Sequence, residues 1–335
     1  MDAKGIDEAF STRMSPDEPG RTNPRAPAGP IDGRALKQST MLYDITLRIT
    51  YRYEVPVSGG RHVIRAMPLS IPGRQRLIAG SLTATPLPDE RYDRQDFFGN
   101  AVTGLLLRKT HEKLVLRMQS RVVVESQTET VDLSPPLALL GADLDAVWSM
   151  TADSPHHFLG TSPRLGEDAA IAAYAREGVE ADMSVLQIAR RLCSAIHTDF
   201  TYDPKATTVD STPRDAFKIK RGVCQDFAHV MIVALRALGI PAGYVSGFLR
   251  TLPPPGKERL EGADAMHAWV RVWCGPTLGW IELDPTNDMA AGSDHIVVAY
   301  GRDYSDVAPV IGVLKSYGSH ETHQAVDVIP VKIGG

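Results

Sequence analysis

Gly222-Val223-Cys224-Gln225-Asp226-Phe227-Ala228-His229 opens the segment around which the rest of the chain can be organised. From Phe227 onward, apolar residues recur at Val230, Met231, Ala234, Leu235 and Leu238. That spacing, a period of about 3.6 residues, predicts an amphipathic helix. Gly239-Ile240-Pro241 ends it, because glycine tolerates the left-handed turn past a helix and proline cannot continue one. Cys224 therefore stands at the helix start, where free backbone N–H groups and the positive end of the helix dipole favour a thiolate over a thiol. Gly222 lets the backbone turn sharply and lets a substrate come close. A lone cysteine is more often a small buried side chain, so Cys224 needs partners before it reads as a nucleophile.

Downstream, strand-like runs follow: GYVSGFLR, HAWVRVWC, GWIELDP and HIVVAYGRDY. Alternation places His267, Trp269, Arg271 and Trp273 on one face of their strand, and Trp280, Glu282 and Asp284 on one face of the next. The turn Gly275-Pro276-Thr277-Leu278-Gly279 joins the two as a hairpin. Opposite parity in an antiparallel pair then puts His267 and Asp284 on the same face. Each alone is ordinary, as a surface histidine and as an Asp starting the turn Asp284-Pro285-Thr286. Together they supply what a helix-start cysteine lacks: a base to take the thiol proton and a carboxylate to orient that base.

Upstream, Glu167 to Glu177 is Ala-rich and reads as a helix. Ser184 caps a second, whose apolar stripe is Val185, Leu186, Ile188, Ala189, Leu192, Cys193 and Ile196. Helices followed by strands predict an α+β core with an antiparallel sheet over residues 166–335, in which the run HQAVDVIPV adds a last strand. Residues 129–165 hold Pro, Gly and Ser clusters and read as a connector wrapped on that core. Residues 41–128 are different. Tyr43, Ile45, Leu47, Ile49, Tyr51, Tyr53 and Val55 alternate with polar residues, which marks a half-buried antiparallel strand. Further β-like runs, separated by turn signals at Ser58-Gly59-Gly60 and Gly99-Asn100, predict an all-β N-terminal domain, a small sandwich. Residues 1–40 are rich in Pro, Gly, Asp and Arg without period and read as disordered, which makes Met41 an alternative start of translation.

Composition narrows the rest. The 335 residues suit two domains, and 43% apolar with 23% charged residues is ordinary for a globular protein. A net charge of −4 without a long basic run gives no reason to expect nucleic acid or an anionic membrane as partner. No run reaches membrane-span length, and the first residues lack the apolar core of a secretory signal, so a cytoplasmic location is expected. Three cysteines without a C-x-x-C pair point neither to a disulfide framework nor to zinc. Cys193 and Cys274 read as structural. The oligomeric state is open at this level.

The chemistry assigns roles. Cys224 is the nucleophile, His267 the acid and base, Asp284 the orienter. The Cys224 backbone N–H and Tyr202, from the loop Phe200-Thr201-Tyr202-Asp203, are candidate oxyanion donors. Gln225 and Trp269 are candidate substrate contacts, Trp269 otherwise filling core. Asp226, in the first helical turn, and His229 read as structural.

These motifs resemble the bacterial transglutaminase-like superfamily: Gly222 to His229, His267-Ala268-Trp269-Val270, Asp284-Pro285-Thr286, and HIVVAYGRDY with Asp306-Val307 and Pro309. The β region, including Asp96-Phe97-Phe98-Gly99-Asn100, resembles the N-terminal domain paired with that core. The resemblance implies a papain-like α+β core, preceded by the all-β domain, with Cys224, His267 and Asp284 as a triad. It implies a transglutaminase-like cysteine hydrolase or acyltransferase working through a thioester on a peptide or protein amide. The sequence shows nothing of the calcium sites of animal cross-linking enzymes, so neither metal nor cofactor is expected. Water or an amine can accept the acyl group, so hydrolysis and protein cross-linking both stand, beside a non-catalytic binding module that kept the fold.

Overall fold

The computed structural model describes residues 40–125, 131–180, 182–251, 262, 264–315 and 318–331. The expected disordered segment, apart from Thr40, lies outside the described residues.

The β region contains β1 (Thr40–Ile64), β2 (Gln75–Thr85), β3 (Glu90–Gln95), β4 (Ala101–Leu107) and β5 (His111–Glu125). The alternation in β1 does what its period dictates: Tyr43, Ile45, Leu47, Ile49, Tyr51 and Tyr53 are buried, each contributing roughly 1.5–3 kcal/mol. Val55 breaks the expectation and is exposed; it lies where pairing with β5 slips between Arg52 and Val57, and Val57 beyond the slip is buried again. Ser58-Gly59-Gly60 is not a turn between strands. It lies inside β1, with Gly59 at φ 67° and a second register shift between Ser58 and Arg61. Chain reversal at Gly99-Asn100 occurs as expected, with Gly99 at φ 81°.

The core follows: α1 (Leu137–Asp145), a 3₁₀ turn Pro155–Phe158, α2 (Ala169–Arg176), α3 (Val185–Asp199), β6 (Thr201–Tyr202), α4 (Pro213–Ile219), β7 (Arg221–Gly222) and α5 (Cys224–Ala237). After these come β8 (Ala242–Leu249), β9 (Ala265–Trp273), α6 (Gly275–Leu278), β10 (Trp280–Asp284), β11 (Met289–Ala290), β12 (His295–Gly301) and α7 (Tyr304–Val307). The antiparallel sheet runs β11-β10-β9-β8-β12. Ser184 caps α3 in a capping box with Gln187, and all seven residues of the expected stripe are buried. Helix α5 departs from the amphipathic expectation: every residue from Cys224 to Leu235 is buried, because α2, α3, α4, β8 and β9 pack around it. Leu140, Leu144 and Phe158 of the expected connector are buried too.

Two last strands, β13 (Val310–Lys315) and β14 (His320–Val331), leave the 166–335 region and pair with β1. The first half of β1 lies between β5 and β14, the second half between β4 and β13. The β region thus forms one seven-stranded hydrogen-bonded network, with β1 common to both halves. Alternation in HQAVDVIPV identifies a strand but carries no information about which sheet it joins. β14 also touches the core, where Asp264, just before β9, accepts from the Val328 backbone N–H at 2.7 Å.

Candidate active site

Cys224 is the first residue of α5. The Asp226 carboxylate folds back to accept from the Val223 backbone N–H at 2.8 Å and from the Thr207 hydroxyl at 2.7 Å, so Asp226 serves the helix start as expected. Gly222 is required here by space: a Cβ would fall 2.4 Å from the Asp226 Oδ2. Tyr202 pairs with Gly222 in the short parallel ladder of β6 and β7. That brings its half-exposed side chain beside Cys224, where burial first, then the neighbouring Cys224 and Asp226, push the phenol upward.

His267 lies near the start of β9 and Asp284 ends β10. The register Glu282 opposite Arg271 and Leu283 opposite Val270 sets His267 and Asp284 diagonally on one face, as parity requires. The His267 Nε2–H donates to Asp284 Oδ2 at 2.8 Å. On its other side the imidazole neighbours Cys224, near enough for the sulfur to act on its protonation. Burial opposes a charged ring, but the Asp284 carboxylate, its hydrogen bond and Cys224 outweigh it and raise His267 to about 10.

Asp284 is fully buried. Its Oδ1 accepts from the backbone N–H groups of Thr286 and Asn287 at 2.9 and 3.3 Å. Its Oδ2 accepts from His267, from Asn287 Nδ2 at 2.7 Å and from His295 Nε2 at 3.1 Å. Burial acts to raise this carboxyl, yet the charge of His267 and the hydrogen bonds from His267 and His295 hold it well below the usual carboxylate range. In the sequence His295 marks only the start of the run HIVVAYGRDY. Its Nδ1 accepts from the Gly292 N–H at 3.2 Å, so Nε2 carries the proton and Asp284 receives it. Donor atoms of His267, Asp284 and His295 lie within 4.8 Å of one another, a spacing open to a cation; hydrogen bonds account for the cluster without one.

Two expected substrate contacts are corrected. Trp269 is completely buried, its indole N–H donating to Glu282 at 2.5 Å, so it backs His267 rather than lining a cleft. Gln225 is neither exposed nor at the surface: it is 2% exposed and its Nε2 donates to the Val209 carbonyl at 3.1 Å. His229 is the structural histidine expected, buried, with Nε2 accepting from the Tyr304 N–H at 3.2 Å. Cys193 and Cys274 are buried, and burial pushes both thiols up to about 12.

A helix-start cysteine facing a strand-borne His–Asp pair, in a mixed helix and antiparallel-sheet core joined to an all-β domain, defines a class. Residues 172–285 match the model of the transglutaminase-like superfamily, and residues 43–123 that of the bacterial transglutaminase-like N-terminal region. The chain belongs to the transglutaminase-like superfamily. An uncharacterized Mycobacterium tuberculosis protein is 35% identical over 307 residues, 87% of this chain and 93% of the relative. Over 92 residues, 27% of this chain and 14% of the relative, the chain is 38% identical to a Pseudomonas aeruginosa protein-glutamine gamma-glutamyltransferase. Among solved structures, a candidate cysteine protease from Cytophaga hutchinsonii superposes with a TM-score of 0.67 at 20% identity, covering 89% of this chain and 93% of that one. Among the described residues, no helix is long and apolar enough to cross a membrane.

Proposed function

We propose that the chain is a thiol-dependent enzyme that transfers the acyl group of a peptide or isopeptide-type amide to water. The observation that carries this reading is the His267 ring, hydrogen-bonded to Asp284 at 2.8 Å on one side and neighbouring Cys224, the first residue of α5, on the other. In this account His267 takes the Cys224 thiol proton and pairs, as an imidazolium, with the attacking sulfur. The sulfur attacks the amide carbon, and the carbonyl oxygen takes the negative charge. The Cys224 backbone N–H, which helix geometry leaves without an intrahelical acceptor, and the Tyr202 hydroxyl stabilise that oxyanion. As the C–N bond breaks, His267 gives its proton to the departing amine, leaving a thioester and a neutral ring. Acylation has removed the thiolate that helped hold the ring proton, so His267 now serves as base. It takes a proton from water, the hydroxide attacks the thioester, the acid is released, and Cys224 leaves as a thiolate beside the re-formed imidazolium. Asp284 keeps the ring oriented throughout.

A second reading replaces water with a primary amine and makes the chain a cross-linking enzyme. The partial likeness to a protein-glutamine gamma-glutamyltransferase favours it. The two share one thioester and separate on one measurement: ammonia release from a glutamine peptide with and without added primary amine, read with product mass. Hydrolysis predicts free acid as the main product in both. Amine incorporation outpacing hydrolysis would reverse the order. A non-catalytic module would show neither product, and Cys224→Ala would change nothing.

A further inference from the structure

We propose that the β region completes the active site, with Arg74 acting as a positioning residue for His267 through Glu282 and Trp269. The inference rests on the functional reading above and assigns the β region a part in it.

Glu282 sits in β10 two residues before Asp284, on the same face and almost wholly buried. Its carboxylate accepts both terminal nitrogens of Arg74, one on each oxygen. It also accepts the Trp269 indole N–H at 2.5 Å and the Tyr300 hydroxyl at 2.9 Å. Trp269 stands two residues after His267 in β9, on the same face. Its ring lies 6.0 Å from the His267 ring at an interplanar angle of 29°, and 5.2 Å edge-on from the His295 ring. Thus the indole touches both histidines that donate to Asp284.

Space fixes the indole from beneath. Gly247 lies opposite His267 in β8, and a Cβ there would come within 2.4 Å of the indole and 2.2 Å of the Ile296 carbonyl. With the backbone this close below and Leu69 and Ile71 packed on the same cluster, the orientation of the ring depends on its one polar anchor, Glu282. That anchor depends in turn on Arg74, since an unpaired carboxylate in this pocket bears the full cost of burial.

Arg74 arrives from outside the core, in the segment between β1 and β2. Two carboxamides fix its position. The Gln75 side chain accepts from the Val297 backbone N–H and donates to the Val297 carbonyl, both at 2.8 Å. Asn100 does the same to Tyr300, again at 2.8 Å. Each amide reads one residue of β12 as a neighbouring strand would, and together they clip the β region to the free edge of the catalytic sheet. A charge delivered by so rigid a clip suits the alignment of a reacting ring, where displacements of about 1 Å can cost about 100-fold in rate.

The test is the rate of S-alkylation of Cys224 by iodoacetamide across pH, read by peptide mass in the full chain, with folding followed by thermal melting. Arg74→Met should slow the neutral-pH rate by about 10-fold or more and move the pH profile toward that of His267→Ala. Arg74→Lys, which keeps the charge but not the fork, should fall between. Arg74→Met combined with Glu282→Gln should recover part of the rate, because Glu282 is then no longer a carboxylate that has lost its Arg74 partner. If folded Arg74→Met and Arg74→Lys keep the wild-type profile while wild-type Cys224 is hyper-reactive, Arg74 only joins the two regions and the positioning role is lost. If wild-type Cys224 itself reacts no faster than free cysteine, the functional reading fails first and takes this inference with it.

Discussion

His267 and His295 donate to the same atom, Oδ2 of Asp284, at 2.8 and 3.1 Å. One carboxylate oxygen thus anchors the His267 ring while a second ring holds that oxygen in place. His295 cannot reverse its role, because its Nδ1 is committed to the Gly292 N–H. Replacing His295 with Ala is therefore expected to lower turnover by less than the roughly 10²–10⁴-fold typical of losing a general acid–base group. His295→Gln, which restores an N–H donor, should recover part of the loss. Steady-state kinetics of the two variants checks this, and an equal loss in both would show that the donor is not what matters.

Loss of His267 should be more severe. His267→Ala is expected to reduce acyl-enzyme formation by about 10²–10⁴-fold, and Cys224→Ala to abolish it. Mass spectrometry of the enzyme after brief exposure to a glutamine peptide would reveal the adduct directly. An adduct that persists in Cys224→Ala would place the nucleophile elsewhere.

Alkaline behaviour follows from the imidazolium. The folded-state value of His267 is raised to about 10, above an unfolded value of about 6.5. Folding therefore favours the protonated ring. The associated stability is fully present below about pH 6.5 and disappears as pH rises through about 10. Melting temperature should fall across that interval in the wild type, and less steeply in His267→Gln. A flat alkaline melting curve would contradict the ion pair.

Acid behaviour has a different source. His62 in β1 is buried, and neither ring nitrogen has a partner among the described residues. Burial, then the charge of His111, push it down to about 4. A depressed histidine contributes stability above its unfolded value and loses it as pH falls from about 6.5 through 4. His62→Phe keeps the shape and removes the proton, so it should be near neutral or stabilising at pH 7. It should also flatten acid unfolding by up to about 1.4 kcal/mol per pH unit. Chemical denaturation at pH 7, 5 and 4 decides the matter.

The placement of Cys224, His267 and Asp284 was legible because local rules set it. Gly239-Ile240-Pro241 ended α5, strand alternation put His267 and Asp284 on one face, and Ser184 announced α3. What escaped was set by long-range packing. The period of α5 gave one apolar face, yet packing on all sides buried Gln225 as well. Trp269 alternates like a cleft residue and is sealed by Glu282 and the β region. His295 and Arg74 carry no local signature, since their meaning comes from Asp284 and Glu282, which lie far away in sequence. The pairing of β13 and β14 with β1 is likewise a matter of distant partners, as were the short helices α1 and α4, embedded in stretches of weak period.

The sulfur of Cys224 is the centre of the account. Iodoacetamide labelling near neutral pH, with rates for Cys193 and Cys274 measured in the same sample, interrogates it without knowledge of the natural substrate. The account predicts that Cys224 reacts faster than free cysteine, that the two thiols pushed up to about 12 stay silent, and that His267→Ala erases the difference. A Cys224 no quicker than free cysteine, or one indifferent to the loss of His267, would contradict it.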